Sequence, residues 1–239
     1  MRINKFLAEC GYASRRNCEQ LVLDGRVKIN NRVVKKLATE VNLDVDLVSV
    51  DDKPAKPINK HLYIMLNKPK GYVCTTSDEK GRKTVMDFLV GKYDGKRIFP
   101  VGRLDFDTEG LLLLTTDGDL ANRLMHPRNE VSKTYVARLE GEITDAEMNK
   151  LRLGVELDGI KTKKCKVKLV SYDEKTNESR VEIVITEGRN RQVRRMFESI
   201  NRDVIFLKRT AIGSIKLGGL YRGNFRELKD VEIELLKKM

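Results

Sequence analysis

Three carboxylates fall close together in Gly102-Arg103-Leu104-Asp105-Phe106-Asp107-Thr108-Glu109-Gly110, and the chain then runs straight into Leu111-Leu112-Leu113-Leu114-Thr115-Thr116-Asp117-Gly118. A carboxylate can serve as nucleophile, general base or metal ligand. Four consecutive leucines predict a strand buried on both faces, so this acidic loop is anchored in a core instead of continuing into solvent. Such an anchor can hold a carboxylate still for catalysis. Three readings of the residues compete. Asp105, Asp107, Glu109 and Gly110 fall on the first, third, fifth and sixth positions of an EF-hand calcium loop, but Thr116 stands where the bidentate glutamate belongs. A pair of glycosidase carboxylates is compatible with the spacing, and so is a surface turn with incidental acids.

The elements that must position this loop are short strands with a few helices. Strands are predicted over 63–67, 134–139, 165–171 and 181–186. In the last, Val181, Ile183 and Ile185 alternate with Glu182, Val184 and Thr186. Helices are predicted over 119–125, over 144–151 with Thr144 as N-cap, and over 192–200, where Val193, Met196, Phe197 and Ile200 share one face. Ahead of them, Ile3, Phe6, Leu7 and Cys10 lie at helical spacing and stop at Gly11. Ser14 caps a second helix carrying Cys18, Leu21 and Val22 up to Gly25. Val27, Ile29 and Val33 alternate around Asn30-Asn31, a hairpin turn that needs positive φ, and a further strand is predicted over 45–50. Asp51-Asp52-Lys53-Pro54-Ala55-Lys56-Pro57 then breaks all periodicity with linker chemistry. The expected organisation is a first domain over 1–50, a linker over 51–60 and a second, α+β domain with a mixed sheet over 61–239.

The 239 residues carry 47 Lys and Arg against 35 Asp and Glu, a net +12 that favours a polyanionic partner through counterion release. Residues 1–60 hold 12 basic and 8 acidic side chains, so both parts are basic. Arg15 and Arg16 stand together at the start of the second helix, where backbone amides and the macrodipole also favour phosphate. Cys10, Cys18, Cys74 and Cys165 form no CxxC pair, and His61 and His126 are the only histidines, which argues against zinc and against a disulfide framework. The apolar run Leu62 to Leu66 is far too short to cross a bilayer, and Met1-Arg2-Ile3-Asn4-Lys5 starts no signal peptide. A cytoplasmic protein with reduced thiols is expected.

The pattern Arg2-Ile3-Asn4-Lys5-Phe6-Leu7, Gly11-Tyr12-Ala13-Ser14-Arg15-Arg16, Gly25-Arg26-Val27-Lys28-Ile29-Asn30 resembles the S4 domain, a small RNA-binding domain first named for a protein of the small ribosomal particle. The resemblance implies that Arg15 and Arg16 touch RNA. The motif Gly102-Arg103-Leu104-Asp105-x-Asp107-Thr108-x-Gly110-Leu111 resembles the active-site motif of one group of ribosomal RNA pseudouridine synthases. That group includes the A-type enzymes, which act on small-subunit RNA, and the B-type enzymes, which act on large-subunit RNA. Further blocks agree in order: Asn67-Lys68-Pro69-Lys70-Gly71, Lys133-Thr134-Tyr135, and Glu187 to Met196.

This second resemblance implies a synthase domain with a central cleft that isomerises uridine in ribosomal RNA without cofactor or metal. Asp105 would be the catalytic residue, Tyr135 a uracil-stacking aromatic that helps remove the C5 proton, and Arg194 the cation paired with Asp105. Arg103 would fill the stack that the flipped base vacates, and Arg189, Arg191 and Arg195 would meet phosphates. The Lys133 and Gly188-to-Phe197 blocks look most like the B-type enzyme, which acts on 23S rRNA, with a target near the peptidyl transferase region expected. The stretch Lys163-Lys164-Cys165-Lys166-Val167 looks somewhat like the F-type sibling. Another rRNA position, F-type or small-subunit, and a non-catalytic rRNA-binding assembly factor stay open as alternatives. The expected partner is rRNA, with neither membrane nor small-molecule cofactor, and the protein is expected to be a monomer.

Overall fold

The computed structural model describes all 239 residues, which form two compact units. The first comprises 1–62 with 93–98 and 116–118. In it α1 (Ile3–Glu9) and α2 (Arg15–Leu23) precede β1 (Val27–Ile29), β2 (Arg32–Val33), β3 (Val48–Val50) and β4 (Lys53–Pro54), in the sheet order β2-β1-β3-β4. Ile3, Phe6, Leu7, Cys18 and Val22 from the helices close over Val27, Val48 and Val50. Ser14 caps α2 by accepting from the Asn17 amide at 3.1 Å, and Asn30 and Asn31 turn the hairpin at φ 49° and 65°.

Two boundaries differ from expectation. Residues 45–47 stay outside β3 because Asp46 accepts from the Asn42 amide and from the Asn30 side chain, a local turn that competes with the ladder. The segment predicted to open the linker instead continues the sheet. Asp51 and Asp52 take φ 49° and 63° as the turn between β3 and β4, and Ala55 is buried in the helix-sheet core.

The second unit is built on β5 (Tyr63–Lys68), β6 (Phe99–Pro100), β7 (Glu109–Thr115), α3 (Gly118–Met125), β8 (Lys133–Glu140), α4 (Asp145–Leu153), β9 (Glu156–Leu157), β10 (Ile160–Lys161), β11 (Lys166–Asp173), β12 (Glu178–Ile185), α5 (Gln192–Glu198), β13 (Val204–Ile212), β14 (Ile215–Lys216), β15 (Phe225–Glu227) and α6 (Asp230–Lys237). Nine strands make one sheet, ordered β11-β12-β8-β13-β7-β5-β15 with β6 on β7 and β14 on β13. Every pairing is antiparallel except β13 with β7, so the sheet is mixed as the α+β reading requires. The Thr144 N-cap of α4 forms as expected, and Glu147 completes a capping box in which the two side chains satisfy each other's backbone amides.

The strand β13 is not legible in the sequence, and it is the one that matters most here. Its order Val-Ile-Phe-Leu-Lys-Arg-Thr-Ala-Ile lacks clean alternation because it is central, flanked by β8 and β7. It approaches β7 so closely that a Cβ on Gly110, at φ 106°, would stand 2.2 Å from the carbonyl oxygen of Arg209. Gly110 is therefore the residue that lets the loop carrying Asp105 enter a parallel pairing. Gly110→Ala is expected to cost about 3 kcal/mol from strained φ plus backbone collision, lowering Tm by roughly 6–12 °C in a thermal melt.

Candidate active site

The acidic loop leaves β6 and re-enters the sheet at β7, and its turn is closed by the Thr108 amide donating to the Asp105 carbonyl at 3.1 Å. Beneath it the Lys68 side chain, fully buried at the end of β5, reaches up from the sheet. Its Nζ donates to the carbonyls of Pro69 at 3.1 Å, Asp105 at 3.0 Å and Thr108 at 2.9 Å. One ammonium group thus satisfies three loop carbonyls and fixes the backbone that presents Asp105. Burial pushes the Lys68 pKa down, while the nearby Asp105, Glu109 and Asp107 oppose that shift.

Asp105 itself is half-buried and faces a cavity of about 610 Å³, within the range of roughly 300–1,000 Å³ common for ligand pockets. Tyr135 from β8 lines the same cavity and is buried, with the Arg209 guanidinium 6.0 Å from its ring centroid. Arg209, 3% exposed, donates Nε to the Leu111 carbonyl at 2.7 Å and Nη1 to the Tyr135 hydroxyl at 3.4 Å. Lys133, two residues before Tyr135 on the same strand, has its pKa pushed down by burial and by the Arg209 charge. The cavity floor is therefore cationic, and a carboxylate or a developing anion is the charge that suits it.

Asp107 has a different task. Its carboxylate accepts a bidentate pair from Arg191 at 2.9 and 3.0 Å, and Arg194 Nε lies 3.2 Å away. The hydrogen bonds from Arg191, reinforced by the charge of Arg194, hold the Asp107 carboxyl below its ordinary pKa. Arg194 also donates to the Asp107 carbonyl at 3.1 Å and to the Val204 carbonyl at 2.8 Å. This corrects the expected Arg194–Asp105 pair: α5 brings Arg194 against Asp107, and no ion pair to Asp105 forms. Arg191 at φ 47° opens α5 and turns its fork back onto the loop.

The expected phosphate contacts divide. Arg103 is exposed and lines the cavity. Arg15 and Arg16 are exposed in the first turn of α2. Arg189, by contrast, donates to the Ile160 and Lys161 carbonyls at 2.9 and 3.0 Å, Arg191 is held by Asp107, and Arg195 pairs with Asp158 at 2.5 Å. Along the chain these three look like free cations because, apart from Glu187 at 3.5 Å from Arg189, their partners are distant in sequence. Lys68 and Arg209 carry no assigned role in the sequence reading. The available signal is a cation closing or interrupting an apolar strand, one at Tyr-Ile-Met-Leu-Asn-Lys and an adjacent pair at Val-Ile-Phe-Leu-Lys-Arg.

The calcium reading fails on the donor chemistry. Asp107 is taken by Arg191, buried Glu109 pairs with Arg222 at 3.2 Å, and no three His, Cys, Asp or Glu side chains converge. No helix is long and apolar enough to cross a membrane.

The chain is similar to known proteins along its whole length. A family model described as RNA pseudouridylate synthase matches residues 62–199, and one described as S4 domain matches residues 1–47. The chain is 44% identical over 238 residues to "Ribosomal large subunit pseudouridine synthase B" of Bacillus subtilis, spanning 100% of this chain and 96% of that protein. It is 46% identical over 239 residues to an "Uncharacterized RNA pseudouridine synthase" of Aquifex aeolicus, covering 100% of this chain and 94% of that one. A solved structure described as a pseudouridylate synthase superposes with a TM-score of 0.71 at 32% identity, over 99% of both chains.

Proposed function

The chain belongs to the RNA pseudouridylate synthase family, with an S4 domain ahead of the synthase domain, and from that premise we propose that it isomerises one uridine of large-subunit ribosomal RNA, with Asp105 as the catalytic carboxylate. The observation that carries this reading is the half-buried Asp105 on a loop held from below by Lys68 and from the side by Arg191, opening on a nucleotide-sized cavity with Tyr135 in its wall.

Isomerisation breaks the bond from uracil N1 to ribose C1′, turns the base, and forms a bond from C5 to C1′, with the C5 proton lost and N1 protonated. No electrons change hands. Asp105 adds to C1′ as the N1 bond breaks and is expelled when C5 bonds to C1′, or adds to the base and leaves once it has turned, or abstracts a sugar proton and returns it; the cationic floor of Arg209 and Lys133 stabilises negative charge on the caged, detached ring. Tyr135 stacks on the uracil and helps remove the C5 proton. Arg194 acts through Asp107, as a positioning residue rather than a partner of Asp105. Arg103 occupies the stack left by the flipped base, and Arg15 and Arg16 bind phosphate. The protein works as a monomer in the cytoplasm. The B-type position is favoured over F-type or small-subunit sites by the B. subtilis relative, which spans the whole chain.

Tritium release from 5-tritiated rRNA transcripts, followed by chemical mapping of pseudouridine, tests the assignment. One equivalent released from a large-subunit fragment supports it. Tight binding to that fragment without release from any rRNA would establish the non-catalytic assembly factor instead.

Within this reading, the double substitution Arg15→Ala with Arg16→Ala is expected to weaken binding about tenfold. It should also reduce the slope of log K against log salt by about 1.5, because each phosphate contact contributes roughly 0.7–0.9. An unchanged slope would take both arginines off the RNA.

A further inference from the structure

A second cavity of about 500 Å³ adjoins the catalytic one, and Arg103, Leu104, Asp105 and Asn190 line both. Phe106 lines only the second, with 53% of its surface exposed. That exposure is not the looseness of a loop tip. The Phe106 carbonyl accepts from the Gly71 amide at 2.9 Å, and its two chain neighbours are the residues whose carbonyl and carboxylate are gripped by Lys68 and Arg191. A rigid backbone thus holds an apolar ring out in water, which costs free energy unless something covers the ring on binding.

The charges around this cavity indicate what would cover it. Lys80, Arg82 and Arg103 face Asp78, Glu79 and Asp105, three of each sign. Arg82 is bound to Asp78 at 2.6 Å, and the Asp78 carboxylate also accepts from the Lys80 and Arg82 amides. The balance selects against a bare phosphate. What remains on offer is a flat aromatic face with the exposed side-chain amide of Asn190 beside it, the chemistry of a nucleobase. Because Arg103, Leu104 and Asp105 form a shared wall, an RNA strand that delivers one nucleotide to the first cavity has the second within reach of the next nucleotide.

We infer that the nucleotide next to the target uridine is also unstacked and lodges in this second cavity with its base against Phe106. This rests on the function proposed above, which it extends from one flipped nucleotide to two. Specificity for the neighbouring base is then read partly here, through stacking on Phe106 and hydrogen bonding to Asn190.

The chain contains no tryptophan, so Phe106→Trp creates a protein with a single reporter at the site. The probe is the rRNA fragment that supports tritium release by the unaltered protein; if no fragment does, the proposed function has failed before this test begins. Saturating fragment is expected to quench the emission of the Phe106→Trp protein by about half or more, as stacked bases do. It should leave Val231→Trp, on exposed α6, unquenched. Replacing nucleotides beside the target one at a time with an abasic residue should relieve the quench at one adjacent position only. Phe106→Ala is expected to raise KM about tenfold with kcat within about threefold, and Phe106→Tyr to restore KM. Unchanged emission of an active Phe106→Trp protein at saturation would overturn the inference while leaving the catalytic assignment intact. So would a quench that no single abasic position relieves, or a normal KM for Phe106→Ala.

Discussion

Asp105→Asn is expected to lower the single-turnover rate of tritium release by roughly 10⁴-fold or more while RNA affinity stays within about tenfold. Asparagine keeps the shape of aspartate but cannot act as nucleophile or base. The Asp105 contacts that secure the loop come from its backbone, the carbonyl accepting from Lys68 and from the Thr108 amide, so they survive the change. Its carboxylate forms no ion pair in the protein, and the thermal midpoint should move by no more than about 2 °C. Binding is dominated by cations along the RNA, and a single carboxylate adds little to it. Single-turnover release, filter binding and a thermal melt on the same preparation separate the three effects. Near-normal release by Asp105→Asn would end its assignment as the catalytic group.

Lys68→Met is expected to lower kcat by about 100-fold or more and to cost about 2–4 kcal/mol of stability, with KM changed far less. The substitution takes this donor from the Pro69 and Thr108 carbonyls and leaves the Asp105 carbonyl with the Thr108 amide alone, at roughly 1–3 kcal/mol for a buried group left unpaired. Part of that loss is offset because the buried ammonium is itself costly, as its lowered pKa indicates. The rate loss has a separate origin: without the three donors, the turn bearing Asp105 is free to shift, and a displacement near 1 Å is worth about 100-fold in a positioned reaction. Measuring kcat and KM at a temperature where circular dichroism finds the variant folded keeps the two apart. A folded Lys68→Met protein with normal kcat would show that the loop holds Asp105 without this lysine. If KM rose while kcat held, Lys68 would be contributing to RNA capture instead.

Much of this protein can be read along the chain, because the signals concerned are local. The helices α1 and α2 follow from apolar spacing closed by Gly11 and Gly25, the Asn30-Asn31 hairpin from residues that tolerate positive φ, and α4 from Thr144 as its N-cap. The catalytic candidate is also legible, since an acidic loop abutting four leucines is a local pattern, and the motif around Asp105 identifies the family. Local order also suggests 51–60 as a linker, yet the hairpin through Asp51 and Asp52 shows that prolines alone do not mark the end of a sheet.

What only the tertiary structure decided is which charge meets which. Along the chain, Arg189, Arg191, Arg194 and Arg195 are indistinguishable cations at the start of one helix. Folding sends the first to carbonyls of β10, the second and third to Asp107, and the fourth to Asp158, partners that lie 28 to 87 residues away. Coulombic and hydrogen-bond energies depend on separation in space over a few ångströms, and no sequence periodicity encodes that distance across a sheet. The same reason hid Lys68 and Arg209. Each closes or interrupts an apolar strand, and their use appeared only when β13 paired with β8, placing a guanidinium beside Tyr135, and β5 with β7, placing an ammonium beneath the loop of Asp105.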